Sequence, residues 1–208
     1  MLYETVPAEA PGRATTRIRC MIVDDHPAIR TGLRELLAIE PGLTVLSTVA
    51  TAEAGLAFAE HNRIDVAIVD YQLGGRSGLW LSRQLRRLPD APAVLIYSAF
   101  SDSLLAAACV VAEASALVSK TALGDQLARR IREVAAGARR LPAVPPALAD
   151  SIRRRLDAEE QSIFGMLTGG VPTRAIAGTL RMQDAELDVR LWRMLGKLER
   201  LDLNSTAE

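Results

Sequence analysis

Four short apolar runs in this 208-residue chain each stop at a polar residue. Ile18 to Val23 runs into Asp24 and Asp25, Val66 to Val69 into Asp70, Ala93 to Tyr97 into Ser98, and Ala116 to Ser119 into Lys120. Runs of this length, separated by stretches of helical periodicity, read as parallel strands covered by helices on both faces. Parallel strands place their carboxyl ends on one edge of the sheet, where open α/β folds build their sites. The pattern therefore demands an α/β fold and gathers three carboxylates, a hydroxyl and an ammonium at one edge.

The segments between the runs fill in that fold. Pro27 suits a first helical position, and Ile29, Leu33, Leu36 and Leu37 recur at helical spacing until Pro41. Thr44 to Thr48 is a second strand, Ala52 to His61 a helix of small residues, and Ile64 to Asp70 the third strand. Gly74, Gly75 and Gly78 mark a turn before a helix at Leu79 to Leu88. Further helices are expected at Asp102 to Ala114 and at Thr121 to Ala136. Five such βα units make a doubly wound, flavodoxin-like domain. Gly137 to Pro146, with three prolines, reads as a linker, and beyond it the period is purely helical: Ala147 to Arg155, Ala158 to Thr168, Thr173 to Leu180 and Ala185 to Arg200. The break at Arg181 to Asp184 resembles the turn of a helix-turn-helix, with Asp184 as N-cap. The expected organisation is a disordered tail (1–16), an α/β domain (17–138), a linker (139–150), a small all-α domain (151–203) and a tail (204–208).

Composition narrows the class. Hydrophobic residues at 49% and charged residues at 24% describe a globular chain, and a formal net charge of zero excludes a global basic field that would draw it to nucleic acid. The only cysteines, Cys20 and Cys109, lie inside apolar runs, as expected of buried thiols in a reducing cytosol. Met1 to Arg17 has no apolar core of a signal peptide, and the uncharged stretch Ser103 to Ala112 is too short to span a bilayer. A cytoplasmic protein without a membrane partner is the expectation.

Two carboxylates suffice to help hold a hard cation such as Mg²⁺, which takes oxygen ligands and keeps several waters. A third can act as nucleophile toward a phosphoryl donor, while an ammonium neutralises charge on the phosphoryl oxygens. The runs "MIVDDHPAIRTGLRELL", "DVAIVDYQLGGRSGL", "VLIYSAF" and "ALVSK" resemble the receiver (CheY-like) domain of two-component response regulators. The resemblance implies that Asp70 is the phosphoacceptor and that Asp24, Asp25, Asp70 and the backbone carbonyl of Gln72 hold Mg²⁺. It also implies that Ser98 is the switch hydroxyl, that Lys120 contacts the phosphate, and that the partner is a sensor histidine kinase. No enzyme activity is implied beyond phosphotransfer to the chain itself and its reversal.

Three departures concern the switch. Leu117 stands where the family has an aromatic, Glu113 and Ala116 where it has glycines, and Gly74 where it has a proline. Phe100 falls where the family lines the path of the hydrolytic water, and is expected either to exclude water or simply to pack. The segment Ser103 to Ala112 carries no charge on any face, so it is expected to be covered by a partner protomer or by the second domain.

The stretch "LDAEEQSIFGMLTGGVPTRAIAGTLRMQDAELDVRLWRMLGKLERL" resembles the LuxR-type helix-turn-helix of NarL/FixJ regulators. That resemblance implies transcriptional control through DNA, with the last long helix in the major groove and a homodimer formed on activation through the receiver domain. The candidate DNA contacts are Arg174, Asp188, Val189, Arg190, Trp192, Arg193 and Lys197. Glu186, Asp188 and Trp192 depart from the polar, basic surface of the family, and the segment is neutral, which weakens any attraction to phosphates. The alternative is a degenerate output domain that makes protein contacts, with Trp192 as an outward anchor.

Overall fold

The computed structural model describes residues 17 to 205, apart from Leu123. The strands are β1 (Ile18–Val23), β2 (Leu43–Val49), β3 (Val66–Asp70), β4 (Ala93–Ser98) and β5 (Ala116–Ser119). They form one parallel sheet in the order β2-β1-β3-β4-β5. The sheet is interleaved with α1 (Pro27–Ala38), α2 (Ala52–His61), α3 (Gly78–Leu85), α4 (Ser103–Val111) and α5 (Gly124–Ala135). The helical part holds α6 (Pro146–Arg153), α7 (Ala158–Thr168), α8 (Thr173–Leu180) and α9 (Asp184–Ser205).

The inner strands β1, β3 and β4 are buried on both faces, as their unbroken apolar runs require, while edge strand β2 is partly exposed. Met21, Val23, Val69 and Ile96 face α2, α3 and α4, while Cys20, Ile22, Ile68 and Leu95 belong to the opposite layer with α1 and α5. Local chemistry sets the helix starts: Thr51, Ser77, Asp102 and Asp157 each accept a backbone N–H of the helix that follows, and Asp157 with Glu160 completes a capping box. Gly78 is dictated by proximity, since a Cβ there would stand 2.0 Å from the Asp70 carbonyl oxygen. Its N–H donates to the Tyr71 carbonyl at 2.9 Å, which seats α3 directly against the end of β3.

The linker also contributes to the sheet. Arg140 N donates to Ser115 O at 2.7 Å and pairs beside Ala116, so the chain leaving α5 lies along the free edge of β5.

The uncharged α4 is buried through Leu105 to Val111 and packs against α6, α7 and α9, so the second half of the same chain covers it. One continuous apolar cluster joins α2, α3 and α4 to Ile152, Phe164, Ile176, Leu187, Leu191 and Leu195 of the helical part. Two boundary expectations change. Helix α9 begins at Asp184 itself, so Asp184 is not an N-cap, and α9 continues to Ser205, into the segment expected to be a tail. The expected tail at 1–16 lies outside the described residues.

Candidate phosphoacceptor pocket and the face that covers α4

Asp24 and Asp70 end adjacent strands β1 and β3, and Lys120 follows β5 across β4. The ammonium of Lys120 spans the gap, donating to Asp24 Oδ2 and to Asp70 Oδ2 at 2.7 Å each. Both carboxylates are nearly enclosed, with Asp24 1% and Asp70 5% exposed. Burial pushes the Asp70 carboxyl above its ordinary value, while the hydrogen bond and charge of Lys120 oppose that shift. For Lys120, burial lowers the proton affinity, but the two carboxylates together outweigh it and hold the ammonium charged.

Asp25 lies beside this pair, and His26 Nδ1 stands 2.6 Å from its Oδ1 without a well-aligned hydrogen bond. Carboxylate or imidazole atoms of Asp24, Asp25, His26 and Asp70 all fall within 4.8 Å of one another. This set offers hard oxygen donors around an under-satisfied buried oxygen, and so fits a divalent cation. The backbone N–H of Gln72 donates to Asp70 Oδ1 at 3.3 Å, which folds the loop after β3 back over the carboxylate. Ser98 closes the β4 side of the pocket, 2% exposed, its hydroxyl accepting the Phe100 N–H at 3.1 Å. Asp24, Asp25, Asp70 and Lys120 thus share one pocket, with Ser98 at the end of neighbouring β4, where its carbonyl accepts the Lys120 N–H at 2.7 Å.

Some neighbours differ from expectation. The Phe100 side chain is 57% exposed, so it does not pack in the core. Leu117 is buried under α4 in the apolar cluster. Tyr97 is the aromatic that approaches Lys120, with its ring centroid 6.0 Å from Nζ and its hydroxyl donating to the Lys120 carbonyl at 3.3 Å. His26 was not anticipated, although its place directly after two aspartates was a visible signal.

The candidate DNA contacts scatter over different environments. Asp188 pairs with Arg83 of α3 and lies 3.7 Å from Arg87. Trp192 does not face outward: it is half-buried, with its ring centroid 5.9 Å from the Arg83 guanidinium. Arg190 is neutralised within its own half by Glu159, with Asp157 and Glu186 nearby. Lys197 pairs with the fully buried Glu160, so its first task is to compensate a carboxylate inside the helical core. Val189, Arg193 and Arg174 remain exposed.

Sequence reading missed Arg83, the residue that organises this face. It is 3% exposed and bonds both Asp188 of α9 and Glu113, which in turn accepts the Thr173 hydroxyl of α8. Glu113 itself sits in the left-handed region at φ 57°, where glycine is usual. Ser77 adds a further tie by donating to Glu199 at 2.7 Å. The available signal was a charged side chain in the middle of an otherwise apolar helix face at Leu79, Leu81 and Leu85.

Comparison with known proteins agrees with this architecture. The response regulator receiver domain family matches residues 20–132. The DNA-binding transcriptional activator DevR/DosR of Mycobacterium tuberculosis is 29% identical over 192 residues, covering 87% of this chain and 88% of its own. The nitrate/nitrite response regulator NarL of Escherichia coli is 25% identical over 190 residues, covering 86% and 88%. The crystal structure of a LuxR-family two-component response regulator from Aurantimonas sp. superimposes with a TM-score of 0.57 at 29% identity, covering 67% of this chain and 97% of that one. With the sheet order and strand-end pocket already in place, the chain belongs to the response regulator receiver family and is a response regulator of the NarL/FixJ type.

Proposed function

We propose that this protein is a phosphorylation-gated transcription regulator with a receiver at 17–138, a linker at 139–150 and a helix-turn-helix output domain at 151–203. The observation that carries the reading is the enclosed Asp70, held by Lys120 beside Asp24 and Asp25 at the carboxyl edge of the sheet. An Asp70 carboxylate oxygen attacks the phosphorus of a histidine phosphoramidate or a small acyl phosphate. A new O–P bond forms, the bond to the donor's leaving group breaks, and the leaving group takes the electron pair. Asp24, Asp25, Asp70 and the Gln72 carbonyl would hold Mg²⁺, which supplies charge neutralisation on the phosphoryl oxygens. Lys120 orients and neutralises the same oxygens, and the Ser98 hydroxyl stands ready to donate to one of them.

The output follows from the packing. Helix α9 lies against α4, with Asp188, Trp192 and Glu199 committed to the receiver, and in that arrangement its inner face is unavailable to a major groove. Phosphorylation is proposed to shift the equilibrium toward an arrangement that frees α9 and allows a homodimer to bind DNA. Acetyl phosphate with Mg²⁺ should add one phosphoryl group to the wild-type protein and none to Asp70→Asn. Labelling that persists in the substituted protein would defeat the assignment.

A second reading is favoured by one observation: Arg190 and Lys197 are neutralised inside the output half, leaving α9 poor in free cations. On that reading the output domain is a protein-interaction module. A DNA selection at stated salt, run with and without acetyl phosphate, separates the two, since only a transcription regulator enriches a sequence.

A further inference from the structure

At the amino ends of β3, β4 and β5, opposite the Asp70 pocket, a cleft of about 600 Å³ opens between the receiver, the linker and the output half. Its volume is within the range of small-ligand sites. The receiver contributes Arg63 and Arg86, the linker Arg139, and the first turn of α8 contributes Arg174. None of these four guanidinium groups makes a side-chain ion pair among the described residues. By contrast Asp65 is taken by Arg19 and Glu113 by Arg83, which leaves Asp90 as the one lining carboxylate without a direct partner among the described residues. Four cations without a direct ion pair thus face one such carboxylate, although Arg63 also acts on the charge of Asp65 from a longer distance.

A second feature converges on the same space. Helix α8 starts after Pro172, which offers no side-chain acceptor, and its first turn contains no acidic residue. The N–H groups of Thr173 and Arg174 have no partner among the described residues, and the Thr173 hydroxyl is turned to Glu113. Free N–H groups and the positive end of the helix dipole favour an anion at this position. Arginines complement it with planar forks suited to phosphate oxygens.

We propose that this cleft binds a small polyanion of the phosphoanhydride or phosphate-ester class and thereby clamps the output half to the receiver. Arg63, Arg86 and Arg139 lie on the receiver and on the linker pinned to β5, and the first turn of α8 joins them only while α9 rests on α4, so the ligand binds the closed arrangement more tightly than the open one. At a hundred times its dissociation constant for the closed state, such a ligand shifts the equilibrium toward that state by up to about a hundred-fold. It would act as a second input, independent of the phosphoryl chemistry at Asp70 and opposed to release.

The test is calorimetric titration of the full chain with inorganic pyrophosphate, in EDTA so that no metal links the ligand to Asp24, Asp25 and Asp70. Citrate serves in parallel as a polycarboxylate of similar charge. Saturable binding of pyrophosphate, weakened ten-fold or more by Arg63→Ala/Arg86→Ala and unchanged by Lys120→Ala, is the expected result. Amide exchange in α4 and α9 should slow when pyrophosphate is present. No saturable binding up to 5 mM (a ceiling of order ~10⁻³ M affinity), binding that the paired arginine substitution leaves untouched, or binding lost in Lys120→Ala would each overturn the proposal. Citrate binding as tight as pyrophosphate would overturn the phosphate assignment. Because phosphorylation of Asp70 is read separately with acetyl phosphate, failure here and failure of the receiver chemistry are distinguishable.

Discussion

Replacing Arg83 with methionine should open the molecule while leaving the receiver folded. The guanidinium is 3% exposed and is shared by Glu113 and Asp188, whose side chains are 18% and 22% exposed. Removing one member of a buried ion pair costs about 3–5 kcal/mol because the remaining charge loses its partner. Partial exposure of both carboxylates, the Thr173 hydroxyl on Glu113 and Arg87 at 3.7 Å from Asp188 place this case at the lower limit, about 3 kcal/mol. In the open arrangement Asp188 and Glu113 both reach water, so nearly the whole loss falls on the closed state. Three kcal/mol is a shift of roughly 10² in the closed-to-open ratio.

Hydrogen exchange by mass spectrometry reads that ratio directly. Amides of α4 and α9 should exchange on the order of 10²-fold faster in Arg83→Met, while those of β1 and β3 stay as in the parent. The combination Arg83→Met/Glu113→Gln/Asp188→Leu removes every charge of the clamp and should restore slow exchange, since apolar replacement of a whole buried ion network is often neutral or stabilising. Exchange in α9 that Arg83→Met changes by less than about two-fold would refute the clamp. Failure of the triple substitution to recover protection would show instead that Arg83 acts through its packing on Trp192.

Three further outcomes follow from the geometry. Gly78→Ala places a Cβ 2.0 Å from the Asp70 carbonyl oxygen and should cost about 3 kcal/mol, a fall in Tm of roughly 6–12 °C by scanning calorimetry; an unchanged Tm would contradict the close approach. Cys20 and Cys109 should resist iodoacetamide at neutral pH in the folded protein and react on denaturation, because burial pushes the Cys20 thiol up to about 12 and the Cys109 thiol up as well. The Asp65 carboxyl, held below its ordinary value chiefly by its hydrogen bond from Arg19, contributes stability that is present above about pH 4 and lost as pH falls through its folded value. Asp65→Asn should therefore lose less stability between neutral pH and pH 3 than the parent does, as read by denaturant titration at each pH.

The pocket was legible because its determinants are local and redundant. Each apolar run specifies a strand, parallel pairing puts all the strand ends together, and the residue type at each end then states the chemistry without any need to know side-chain rotamers. The relation between the two halves follows a different logic. The uncharged α4 announced that something covers it, yet the same absence of charge carried no information about what does. A helix such as α9 shows one apolar stripe through Leu187, Leu191, Met194, Leu195 and Leu198, and periodicity assigns the opposite side to solvent or DNA. Asp188 and Trp192 sit on neither side of that division: they meet the receiver through a charge and an aromatic edge, which a hydrophobic pattern cannot register. The same limit explains why Glu113 read only as a missing glycine. In the fold it tolerates a left-handed backbone at φ 57° and places its carboxylate between Arg83 and Thr173, so the departure from the family removes flexibility beside β5 and adds a contact between the halves. Substituting Glu113→Gly should therefore relieve the backbone and weaken the clamp at once, with opposite effects on receiver stability and on closure. A measured rise in exchange at α8 and α9 without loss of protection in β5 would separate those two effects in a single variant.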